Sequence, residues 1–184
     1  MKRTKIISAF VATAAIAFTA NAHEHGHEHH GHGHTHGHEH GHGHHAQVSF
    51  TGHEAQLNNV EFSRCWVRLV PGSRPSAAYF DIKNTGTEAI ALIGVRADNF
   101  TDTMLHETTV VDGVSKMGMV DKLVIDAGQA ASFKPKANHV MLTAESEDAV
   151  SVGDIVNLQF KFEGEQVASA ECLVKPINSL SFEG

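Results

Sequence analysis

From Ala46 onward the chain alternates apolar and polar residues in short runs, and no stretch sustains the three-to-four-residue spacing of an amphipathic helix. Such a pattern favours half-buried β-strands. The runs predict strands at Val60 to Val70, Ala77 to Asn84, Ala89 to Val95, Thr103 to Val110, Lys122 to Ile125, Gln129 to Phe133, His139 to Ala144, Ile155 to Phe162 and Gln166 to Val174. Between them stand "PGSRP", "NTGTE", "VDGVS", "DAGQ", "KPKAN" and "EGEQ", rich in residues that turn a chain. Many short strands at this spacing imply an all-β domain, an antiparallel sandwich or Greek-key barrel. The part that can fold this way is about 140 residues long, the size of one domain with a substantial core.

The residues before it cannot share that core. Lys2, Arg3 and Lys5 precede the apolar run Ile6 to Phe18, and Ala20 and Ala22 flank Asn21, which is the layout of a secretory signal peptide over residues 1–22. The apolar run is shorter than the roughly 20 residues needed to cross a bilayer. The expected product is therefore a soluble periplasmic protein beginning at His23. It carries 11 basic and 21 acidic side chains, a formal charge of −10 with His neutral, which argues against nucleic acid as a partner and suits the collection of cations.

Residues 23–45 interleave His with Gly and hold thirteen of the sixteen histidines: His23, His25, His27, His29, His30, His32, His34, His36, His38, His40, His42, His44 and His45. Gly and His offer no apolar face, so the segment is expected to be disordered. Its imidazoles are accessory ligands for Cu(II) or Zn(II), taken up with little selectivity. Two cysteines, Cys65 and Cys172, stand near opposite ends of the folded part. In an exported chain they could form a disulfide or remain two buried thiols that never meet.

Outside the tract the histidines are His53, His106 and His139, and the last two each stand two residues from a methionine in a predicted strand. Strand period places Met104 and His106 on one face and His139 and Met141 on one face. Between these strands "GVSKMGMV" reads as a Gly-flanked turn carrying Met117 and Met119. Singly, a histidine of this kind is a surface or core residue and a methionine fills gaps in cores. Together they form a soft, neutral donor set that suits Cu(I), whereas Zn²⁺ gains little from thioethers. Thioethers also form no disulfides in an oxidising compartment, where thiolates would.

Ten residues separate His106 from Met117, twenty-one separate Met117 from His139, and one separates His139 from Met141. This spacing resembles the H-x10-M-x21-H-x-M signature of the PCu(A)C family of periplasmic copper chaperones. The flanking "AAYFDIKNTG" and "GDIVNLQFKFEG" are similar to segments of that family, and the likeness spans roughly Leu57 to Pro176. It implies a cupredoxin-like β-sandwich over residues 46–176, a C-terminal tail at 177–184, and one Cu(I) held by His106, Met117, His139 and Met141. Met119 and Met104, off the signature positions, are spare donors. The resemblance further implies delivery of copper to a partner, toward the CuA site of cytochrome c oxidase or a thioredoxin-like assembly factor.

Catalysis has no comparable support, because "LHETT" puts His106 and Glu107 on opposite faces and no nucleophile elbow, HExxH or phosphate loop occurs. The competing reading is a periplasmic zinc or copper buffer that stores metal mainly through the His-rich tract. Cleavage after Ala22 would also leave a free amine with His25 third in the chain, able to bind Cu²⁺ in a square plane through the amine, two backbone nitrogens and the imidazole. Correctly cleaved protein should then show a visible Cu²⁺ absorption band that disappears in His25→Ala; a band that survives the substitution rejects this site.

Overall fold

The computed structural model describes residues 48–183, apart from Ser73. The expected signal peptide at residues 1–22 and the His-rich tract with its thirteen histidines lie outside the described residues. Among the described residues the strands are β1 (Ala55–Gln56), β2 (Val60–Arg68), β3 (Ser76–Asn84), β4 (Ile90–Ala97), β5 (Phe100–Val111), β6 (Val114–Met119), β7 (Leu123–Ile125), β8 (Ala130–Phe133), β9 (His139–Ala144), β10 (Ile155–Phe162) and β11 (Gln166–Lys175). They form one sheet in the order β6-β5-β9-β3-β2-β11-β10-β4-β7, with β1 on β11 and β8 on β3. The all-β architecture is that expected from the alternating runs.

Residues far apart in that order share one core: Val140 and Leu142 of β9, Phe80 of β3, Val67 of β2, Val174 of β11, Phe160 of β10 and Leu92 of β4. The sheet is therefore rolled around its own apolar face. Phe62 stacks on Phe160 with centroids 4.3 Å apart, and Phe80 stacks on Phe133 at 4.2 Å. Burying these rings contributes most of the drive to close the roll, at about 25 cal/mol per Å² of apolar surface removed from water.

The segment expected to be a turn, "GVSKMGMV", is instead a strand. Asp112 (φ 52°) and Gly113 (φ 78°) make the turn by themselves, both in the left-handed region that a two-residue hairpin needs. Pairing resumes at once with Val111 opposite Val114 and continues to His106 opposite Met119. Gly118 lies within the strand, so its flanking position misled the pattern. Strand β1, two residues long, also went unpredicted.

Strand β2 contains a bulge that sets which residues face inward. Ser63 pairs with Asp81 and Trp66 with Tyr79, so Arg64 and Cys65 together oppose Phe80. Arg64 takes φ 51° and turns outward to Asp81, its Nε donating to a carboxylate oxygen at 2.6 Å. The extra residue shifts the alternation by one, so Cys65 rather than Arg64 enters the core. There it is bonded to Cys172, with Cα atoms 4.5 Å apart and both residues buried. The bond ties β2 to β11 at the start of their parallel pairing, Trp66 opposite Leu173.

Beyond β11 the tail turns back, and Lys175 Nζ donates to the carbonyls of Ser181 (3.0 Å) and Phe182 (2.6 Å). Among the described residues no helix is long and apolar enough to cross a membrane.

Because the disulfide closes a loop of 107 residues, replacing both Cys65 and Cys172 with Ala should lower unfolding stability by about 2–5 kcal/mol in urea denaturation. A loss below about 1 kcal/mol would show that the rolled sheet closes without the bond.

Candidate metal centre

The face of the sheet opposite the core gathers the predicted donors. In antiparallel pairing, residues directly opposite each other project to the same side. Leu105 opposite Val140 is a core pair, so the pairs on either side of it, Met104 with Met141 and His106 with His139, project outward. On the other edge of β5, Met119 stands opposite His106 and Met117 opposite Thr108. All four signature residues and both spare methionines therefore share one face across β9, β5 and β6. Glu107, with neighbours Leu105 and Thr109, lies on the other face and is exposed.

The two imidazoles differ in environment. Their ring centroids are 5.6 Å apart, nearly perpendicular at 79°. His139 is half-buried, and its Nδ1 donates to the Ala137 carbonyl at 2.9 Å, which fixes the tautomer and leaves Nε2 with its lone pair free to coordinate. His106 is only 7% exposed, and neither of its ring nitrogens has a protein hydrogen-bond partner. Burial, and to a lesser degree neighbouring His139, push its pKa below the ordinary range, so it is neutral at pH 7. A buried neutral imidazole with no partner is costly to the apo fold, and a metal ion would satisfy it.

Beneath the candidate donors the face is buried and largely aromatic. Trp66, Ala77 and Tyr79 form a separate buried cluster there, with Trp66 and Tyr79 centroids 4.7 Å apart and Tyr79 6.5 Å from His139. Arg68 lies 5.2 Å above the Tyr79 ring. Ala77, opposite Met141 in the β3–β9 ladder, leaves room for the longer thioether side chain. Strand β6 is the opposite case: every residue is exposed, Met117 at 59% and Met119 at 41%. The arrangement is a buried and a half-buried imidazole flanked by thioethers, two of them on the exposed outer strand β6.

Among the described residues no three His, Cys, Asp or Glu side chains gather into a possible metal cage. The donors beside the imidazoles are thioethers, which matches soft Cu(I) better than Zn²⁺. The sequence pattern singled out these six candidate donors but not their cross-strand order, in which Met119 rather than Met117 stands directly beside His106. It also missed the aromatic floor. The β3 part of that floor lay in "AAYFDI", where Tyr79 and Ala77 are two apart and so share a face.

The all-β roll is a PCuAC-like fold. The chain belongs to the LpqE-like lipoprotein family, whose model matches residues 60–174. It is similar to the solution structure of Cu(I)-bound DR1885 from Deinococcus radiodurans, with 30% identity and a TM-score of 0.51 over 68% of this chain and 83% of that one. It also resembles the apo PCuAC domain of PmoF2, at 18% identity and a TM-score of 0.56 over 70% of this chain and 99% of that one, a likeness of fold alone. Protein Lxx21020 of Leifsonia xyli is 32% identical over 88 residues, which are 47% of this chain and 52% of that protein. The chain spans about half the length of the curated relatives it matches.

His106→Leu removes two unpartnered nitrogens while keeping much of the side-chain volume. The apo variant should gain about 1–2 kcal/mol in urea denaturation; a destabilised variant would mean that the imidazole supports the fold.

Proposed function

We propose that the domain is an extracytoplasmic copper chaperone that carries one Cu(I) as cargo through His106, Met117, His139 and Met141. The observation that carries this reading is His106, buried with both ring nitrogens unpartnered and beside an oriented His139 on a face whose other donors are thioethers. Similarity to a protein whose structure was solved with Cu(I) bound adds support. His106 and His139 would hold the ion, neutral donors from a fixed surface. Met141 would close one side and Met117, on the exposed hairpin, the other.

That asymmetry suits release. A donor group of an incoming protein would bond to copper as the Met117 sulfur leaves, and the imidazoles would let go last. Copper stays Cu(I) throughout, so no electron acceptor is needed. Delivery toward the CuA site of cytochrome c oxidase, directly or through a thioredoxin-like factor, is the proposed destination. The chain would work in the periplasm after removal of residues 1–22, consistent with a family described as lipoproteins. The His-rich tract at 23–45 would gather Cu(II) or Zn(II) and raise the local supply, its connection to the domain making capture effectively intramolecular. Nothing in this scheme requires catalysis.

A competitive Cu(I) and Zn²⁺ titration tests the reading on the mature chain and on residues 46–184. The shorter chain should lose metal capacity yet keep one tightly bound Cu(I), which Met117→Ala and Met141→Ala weaken. Zn²⁺ binding that ignores both methionines, with no Cu(I) equivalent left after removal of the tract, would favour a metal buffer instead.

A further inference from the structure

Two donors on the site face are left over by the four-ligand scheme, and both stand at the seam where the rolled sheet does not close. Strand β4 pairs with β7 only through Leu92, and β5 pairs with β6 only from His106 onward, so Ile93–Ala97 and Phe100–Leu105 face each other without a ladder. Thr103 Oγ1 bridges them by donating to the Val95 carbonyl. A groove of about 730 Å³ opens along this seam, with Val95, Phe100 and Leu105 among its lining and Met104 and Met119 on one side.

The opposite wall is the start of the described chain. Val48 occupies the pit above Gly94, where an added Cβ would stand 2.8 Å from the Val48 Cβ. Phe50 lies under the Arg96 guanidinium at 4.8 Å. Lys161, 4% exposed, donates to the Ser49 carbonyl at 2.6 Å and pairs with Glu54 at 3.3 Å and Glu165 at 2.9 Å. Residues 48–50 are thus fastened along the groove.

Met104 and Met119 contribute little to packing: neither belongs to the core, and Met119 is 41% exposed. On the ladder Met119 stands opposite His106, and Met104 precedes His106 by two residues. They are therefore diagonal cross-strand neighbours, with Cα atoms about 7–8 Å apart, within reach of two long unbranched side chains around a single ion.

We propose that Met104 and Met119 form a second Cu(I) position, a loading station through which the ion enters the neighbouring four-ligand site. The proposal rests on the chaperone reading above. With only two thioethers it binds more weakly than the four-ligand site and fills after it. In loading, the bond from Cu(I) to the ligand that brings it breaks as Cu–S bonds to Met104 and Met119 form. The ion then moves to His106, beside Met119, and Met141, beside Met104, with copper remaining Cu(I) and no electron transferred.

Methionine-methyl ¹³C NMR of the mature full-length chain, titrated with Cu(I) under anaerobic conditions, tests this directly, since the mature chain contains just Met104, Met117, Met119 and Met141. Met117 and Met141 should shift first, and Met104 and Met119 should shift together once that first transition is complete. Met104 and Met119 that never move, or that move with the first pair, overturn the second position; Met117 and Met141 that never move overturn the chaperone reading instead. In Met104→Leu the late Met119 shift should be lost while the first transition stays unchanged, and its persistence would reject a shared site. In the Met104→Leu, Met119→Leu double variant, Cu(I) should reach Met117 and Met141 more slowly at unchanged final occupancy; an unchanged rate would reject the loading role.

Discussion

The pairing of Leu105 with Val140 beneath the sheet fixes where every donor above it stands. Both side chains are in the core, so β5 and β9 cannot slip by one residue without exchanging an apolar face for a polar one. With that register held, His106 has to meet His139 and Met104 has to meet Met141. The site is a consequence of core packing on the other side of one layer of backbone. Its geometry is as firm as the hydrophobic face that sets it, and no local loop conformation is required to bring the imidazoles together.

The same rolled core is closed by devices that join distant parts of the chain. The Arg64 bulge turns Cys65 inward to Cys172, and Lys161 gathers Ser49, Glu54 and Glu165 around one buried ammonium. The carboxylate of Glu54 responds, its pKa held down at about 2, chiefly by backbone N–H groups at Thr51 and at Glu54 itself, with Lys161 helping. Neither device bonds to the outer strand of the β5–β6 hairpin, which is exposed along its whole length. Stability is thus concentrated in the body of the sheet, and freedom is left to the strand that carries Met117 and Met119.

The strands were legible because each is half-buried and the alternation records it; Val60–Arg68 and Ile155–Phe162 fall where the runs predicted. The hairpin strand was not, since Ser115, Lys116 and Gly118 bury nothing and give no apolar period. That His106 shares a face with Met104, and His139 with Met141, also followed from period two. Which of these residues stand opposite each other did not, because register is decided by distant core pairs such as Leu105 and Val140. The cysteine pairing was undecidable for a related reason: an unshifted alternation through Val60 and Phe62 would turn Arg64 inward and Cys65 outward. One residue in the left-handed region reverses that outcome, and no composition signal marks Arg64 as the place.

A carrier has to bind tightly enough to exclude competitors and loosely enough to give up its cargo, and the donor chemistry separates those demands in space. The imidazoles sit on the more buried side, one oriented by the Ala137 carbonyl and one kept neutral by burial, so on the proposed reading their geometry would be in place before an ion arrived. The thioether of Met117 sits on the exposed strand and carries no charge, so on the proposed reading its departure would leave no unpaired anion behind. Had Met117 been a cysteine, its thiolate would have bound copper more tightly, resisted release and been exposed to oxidation on an unprotected edge. Methionine on a solvent-facing strand avoids all three, and four neutral donors would leave a bound Cu(I) its single positive charge, which the acidic chain as a whole would offset.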